Sequence, residues 1–97
     1  MGHIIEIAEF KLAKTATEAD LLAALPATQE FAQQQNGFVS RTLTGGEDGA
    51  YADLVEWASL EQAEAAGKAF MGDPRNADFM KCIDPENMSM RHYRKLG

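Results

Sequence analysis

Ala50-Tyr51-Ala52-Asp53-Leu54-Val55-Glu56-Trp57-Ala58-Ser59-Leu60-Glu61-Gln62-Ala63 decides the fold, because the apolar period changes inside it. Up to Trp57 the pattern suits a strand with Tyr51, Asp53, Val55 and Trp57 on one face, since side chains alternate across a pleated backbone. From Ser59 onward it is helical. Ser59 with Gln62 makes a capping box, and Leu60, Ala63, Ala66, Phe70 and Met71 recur at the spacing of an amphipathic stripe.

Upstream, Gly45-Gly46-Glu47-Asp48-Gly49 is a polar, glycine-rich interruption between two strand-like runs, 38–44 and 50–58, and predicts an antiparallel hairpin. It lacks the lysine and the strand-to-helix context of a phosphate-binding loop. Before it lies a helix that Thr17 caps, with Glu18 and Asp20 in the first turn, running toward Gln35. Leu21, Leu22, Leu25, Thr28, Phe31 and Ala32 form its apolar stripe, Pro26 is expected to kink it, and Asn36-Gly37 to stop it. Residues 4–12 form a first strand, with Glu6, Ala8, Phe10 and Leu12 on one face and Ile5, Ile7 and Glu9 on the other.

Downstream, Gly72 ends the second helix and Asp73-Pro74 restarts a helical turn that lets Phe79, Met80 and Ile83 dock. Asp84-Pro85 is expected to end that turn. Residues 88–94 form a last strand, in which His92 shares a face with Met88 and Met90, while Arg91 goes with Ser89 and Tyr93. Strand, helix, strand, strand, helix, strand predicts one α+β domain over residues 1–97, ferredoxin-like βαββαβ with a four-stranded antiparallel sheet. Two helices cover one face of such a sheet. The other still carries apolar residues on the first and third strands, so a homodimer stacked sheet on sheet is expected.

Composition bounds the partners. A net charge of −6 argues against nucleic acid, whose affinity rests on clustered cations. The apolar runs are too short to cross a bilayer and no basic-then-apolar leader opens the chain, so no membrane contact and a soluble, cytoplasmic protein are expected. Cys82 is the only cysteine, has no Cys-His-Asn context, and reads as a packing thiol. His3 and His92 lack a third ligand, so no metal is expected.

Trp57-Ala58-Ser59-Leu60-Glu61-Gln62-Ala63 resembles the third strand and second helix of the antibiotic biosynthesis monooxygenase family, and the element order follows that family over nearly the whole chain. The resemblance implies a dimeric α/β barrel and a pocket between sheet and helices for a small hydrophobic or aromatic ligand. In the cofactor-independent quinol and anthrone monooxygenases of the family, a strand tryptophan and an asparagine four residues before it hold a phenolic substrate. Here that pair is Trp57 with Asp53. Aspartate only accepts hydrogen bonds when ionised, so it suits a base better than an amide-like clamp. The first strand offers Glu6 and Glu9 where these enzymes tend to carry a polar amide.

The resemblance thus implies Asp53 or His92 as proton acceptor, with Trp57, Tyr51, Val55, Phe31 and Met90 as the substrate-binding wall and no cofactor. Haem is not expected, because the family's iron-holding histidine has no counterpart in residues 65–69. Each residue also has a plainer role: Trp57 as a core aromatic, Asp53 as a surface or edge aspartate paired with an arginine, His92 as a structural histidine. On those roles the chain is a non-catalytic ligand-binding or regulatory module of the same fold.

Overall fold

A computed structural model describes residues 2–97. Its elements are β1 (Ile4–Leu12), α1 (Glu18–Gln33), β2 (Phe38–Gly45), β3 (Ala50–Trp57), α2 (Leu60–Gly72), a 3-10 turn (Pro74–Asn76), α3 (Ala77–Lys81) and β4 (Ile83–Arg94). The strands form one antiparallel sheet in the order β2-β3-β1-β4, the ferredoxin-like arrangement.

The caps set where the helices begin. Thr17 Oγ1 accepts from the Asp20 N–H at 3.2 Å and Asp20 Oδ2 accepts from the Thr17 N–H at 3.0 Å, a complete capping box. α1 runs on through Pro26 and ends at Gln33, and Gly37 follows with φ of +84°. At α2, Ser59 Oγ accepts from the Gln62 N–H, but the Gln62 side chain takes the Ser59 hydroxyl rather than its backbone N–H, so that box is only half made. Asp73 caps the 3-10 turn by accepting from the Arg75 N–H, with Pro74 at its first position.

Three expectations are corrected. Leu22 is 53% exposed, and Ala24 takes its place against the sheet. Leu60 and Met71 are also exposed, and α2 buries only Ala63 and Ala66, small side chains that let the helix sit close to β3. β4 starts at Ile83, not at residue 88. Asp-Pro reads as a stop, but β4 is an edge strand whose ladder with β1 breaks between Phe10 and Leu12, and Pro85 falls in that break, where a missing N–H costs no pairing.

Register fixes the faces. Ile4, Glu6, Ala8 and Phe10 of β1 lie opposite Trp57, Val55, Asp53 and Tyr51 of β3 and, on the other flank, Arg94, His92, Met90 and Met88 of β4. All of these belong to the helix side. Phe10, Leu21, Ala24, Phe79, Cys82 and Ile83 form one buried cluster there, and Val55, Trp57, Ala63 and Ala66 form another. Among the described residues, no helix is long and apolar enough to cross a membrane.

Candidate functional site

A largely apolar cavity of about 140 Å³ opens between the helix side of the sheet and α1, α2 and α3. Val55 is the centre of its floor. Glu6 on β1 and Arg41 on β2 are the cross-strand partners of Val55, and Asp53 and Trp57 lie two residues either side of it on the same face. Five side chains of different chemistry therefore meet because period two and sheet register bring them together.

Arg41 and Asp53 form a buried fork. Nε donates to Asp53 Oδ1 at 3.0 Å and Nη2 donates to Oδ2 at 2.7 Å, while Nη1 donates to Thr28 Oγ1 at 2.7 Å. Thr28 in turn donates to the Leu25 carbonyl at 3.0 Å, and the guanidinium carbon lies 5.1 Å from the centre of the Phe79 ring. Only 4% of the Arg41 side chain and 11% of the Asp53 side chain reach solvent. Both Asp53 oxygens are therefore committed to a cation. Asp53, expected as a proton acceptor or as a surface or edge partner of an arginine, is paired with Arg41 but buried on a central strand.

Of the two carboxylates that line the cavity, Glu6 is the one without an arginine or lysine partner among the described residues. Burial raises its pKa above the usual carboxylate range and the Asp53 charge adds to this, while the hydrogen bond and charge of His92 and the charge of Arg41 oppose it. His92 Nε2 lies 3.0 Å from Glu6 Oε1. His92 itself stands outside the cavity wall and reaches the site through Glu6. His92 thus ties Glu6 to the edge strand β4.

Trp57 is 4% exposed, packs edge-on against Phe38 at 5.9 Å, and has a buried indole N–H without a partner among the described residues. Phe31, Val55 and Met90 also line the cavity. Tyr51 does not. It has the right face but stacks at 5.7 Å on its cross-strand partner Phe10, which takes the place at the cavity wall, and donates to Glu18 Oε1 at 2.9 Å. Sequence reasoning passed over Arg41, Thr28 and Gly67 as cavity residues. The face of Glu6 was legible, whereas the reach of Arg41 across one strand was not.

A Bordetella bronchiseptica protein described provisionally as an antibiotic biosynthesis monooxygenase superposes with a TM-score of 0.82, at 19% identity, over 99% of this chain and 99% of that one. The fold is that of the antibiotic biosynthesis monooxygenases. A second protein of this fold is SnoaB, a cofactor-independent oxygenase from Streptomyces nogalater, with a TM-score of 0.67 and 16% identity over 100% of this chain and 94% of that chain. A third is the Streptomyces coelicolor monooxygenase of the gene ActVA-Orf6, solved with nanaomycin D, at 0.75 and 20% identity over 99% and 89%. No protein-family model matches the sequence, and no curated protein matches it significantly. At these identities the likeness to the antibiotic biosynthesis monooxygenases is one of fold, and activity rests on the site.

Proposed function

We propose that the chain is a cofactor-independent oxygenase acting on a hydroquinone- or anthrone-type aromatic held over Val55. The observation that carries this reading is Glu6: a carboxylate at the wall of a small apolar cavity, with its pKa raised by burial and His92 behind it. A base poised nearer neutrality takes a proton from a weak carbon or oxygen acid more readily. The fold shared with SnoaB supports the same reading by analogy.

For a hydroquinone, Glu6 takes a hydroxyl proton and the electron-rich ring passes one electron to oxygen. The ring radical and superoxide join in a C–O bond, and Glu6 returns its proton to the peroxide. Loss of water, with the hydrogen of the same ring carbon, breaks the O–O bond and leaves a carbonyl. Hydroquinone plus oxygen thus becomes hydroxyquinone plus water, and Glu6 ends as it began. Trp57 and Phe31 supply the aromatic walls, and the apolar lining keeps water from the anion. The cavity is small beside the roughly 300–1,000 Å³ of most ligand pockets, which favours a one- or two-ring hydroquinone over a three-ring anthrone, and Met80, Met88 and Met90 give it an adaptable side.

Oxygen uptake with a panel of one- and two-ring hydroquinones and anthrones tests this, for wild type and Glu6→Gln. Turnover by wild type should fall about 100-fold or more in the variant, the usual share of a general base. No uptake across the panel, with an aromatic copurifying by mass spectrometry, would instead support a binding module, a reading that the locked state of Asp53 favours.

We also propose that two copies associate through the sheet face turned away from the helices. Ile5, Ile7 and Leu54 lie at its centre beside Tyr93, which is 46% exposed. Light scattering at micromolar concentration should give twice the mass of one chain, and a single-chain mass would refute the pairing.

A further inference from the structure

The Arg41–Asp53 fork constrains what the cavity can hold. Its bonds to Asp53 and Thr28 use three of the five guanidinium N–H groups, leaving one on Nη1 and one on Nη2. Trp57 adds the unpartnered indole N–H. Arg41 therefore brings two uncommitted donors to the cavity wall, with the buried Trp57 N–H behind it, and buried donors in that state are costly until something accepts from them.

Charge sets the second constraint. Asp53 neutralises Arg41, so the charge remaining at the wall is that of Glu6, faced by His92 from β4 and by the neutral fork from β2 and β3. A ligand arriving as a carboxylate would add a second negative charge beside Glu6 without a free cation to meet it. A ligand that arrives neutral and yields a proton to Glu6 leaves the sum unchanged.

Geometry joins the two. Glu6 and Arg41 flank Val55 from opposite strands, roughly 10 Å apart at the backbone given about 4.8 Å per strand spacing. Their side chains converge on a cavity between them that one ring can bridge.

We propose that Arg41 is the oxyanion-binding residue of this cavity, fixed in position by Asp53 and Thr28, and that its ligand is a neutral aromatic with an acidic hydrogen at the Glu6 end and a conjugated oxygen at the Arg41 end. The proton leaves at one end and the negative charge gathers at the other, where donors already wait. Asp53 is then a positioning residue. The proposal rests on the cavity being the substrate site, but does not require that oxygen react there.

The test uses 4-nitrophenol, which loses a proton at one end and spreads charge to oxygens at the other, and 4-nitrobenzoate, which arrives ionised. Trp57 is the only tryptophan, so quenching of its fluorescence reports occupancy. Wild type should bind 4-nitrophenol at least about tenfold more tightly than 4-nitrobenzoate. Absorbance of the bound phenolate should show an ionisation midpoint about one pH unit or more lower in wild type than in the Arg41→Gln/Asp53→Asn double variant, tenfold in the ionisation constant. The double variant removes both charges and strands neither, and Arg41→Lys, which keeps the charge but not the fork, should give an intermediate midpoint.

Equal midpoints in wild type and both variants would overturn the proposal. So would equal affinity for the carboxylate, or no quenching by either probe. Glu6-dependent oxygen uptake with a midpoint indifferent to Arg41 would sink this inference and leave the oxygenase standing, and an Arg41-dependent midpoint without oxygen uptake would do the reverse.

Discussion

Cutting Asp53 back to alanine leaves the Arg41 guanidinium in the interior with Thr28 as its only remaining hydrogen-bond partner among the described residues. Both partners are nearly sealed from solvent, so water is a poor substitute for the lost bidentate carboxylate even where the cavity admits it. Removing one member of a buried ion pair costs about 3–5 kcal/mol, against a total of about 5–15 kcal/mol for a small domain. At about 4–8 °C per kcal/mol for a chain of this size, the melting temperature should fall by about 12–40 °C. Urea and thermal unfolding followed by far-ultraviolet circular dichroism measure both quantities.

The companion variant Arg41→Met/Asp53→Leu replaces the pair with apolar side chains of similar bulk. It should stay within about 1 kcal/mol of wild type or exceed it, because a buried pair repays little more than its own desolvation. A loss below about 1 kcal/mol for Asp53→Ala, the scale of an exposed pair, would show that the fork is not the sealed element described here.

Glu6 makes stability depend on pH in a definite direction. A carboxyl whose folded pKa is raised takes up protons on folding, so its contribution is present in acid and lost as pH rises through the folded value. Wild type should therefore lose ground to Glu6→Gln as urea melts are taken from about pH 4 to 7, and parallel profiles would contradict this. Gly67→Ala should stabilise by about 0.5–1 kcal/mol in the same melts, since Gly67 lies within α2 and an added Cβ meets nothing within 4 Å. Gly37→Ala should destabilise by more than about 1 kcal/mol, because Gly37 sits at φ +84° and its new methyl would overlap the Gln62 side chain. The Cys82 thiol is buried and its pKa is raised, first by burial and then by Asp20 and Asp78, so a thiol reagent should label it slowly in the folded protein and fast in urea.

What the sequence revealed follows physical locality. The alternation through Trp57 and the cap at Ser59 are settled between neighbours, so the strand-to-helix junction and the shared face of Asp53, Val55 and Trp57 could be read directly. Pro85 misled because a local stop signal was overridden by its place on an edge strand. Tyr51 misled because parity gives the face but not what stands in between: its ring is stacked on Phe10, and Phe10 rather than Tyr51 lines the cavity. Arg41 went unseen because its role depends on a long side chain crossing from β2 to Asp53, a contact that only the pairing register creates. Glu6 was noticed only as a departure from a familiar pattern. Burial, which raises its pKa, is a property of the packed molecule.

A crystal structure of the protein soaked without oxygen in the hydroquinone that supports the fastest uptake tests the central claim most directly. The account predicts one ring over Val55, a hydroxyl within hydrogen-bonding distance of Glu6, and the far oxygen against Arg41 and the Trp57 indole N–H. A ring bound elsewhere, or an empty cavity at a concentration that saturates uptake, would contradict it.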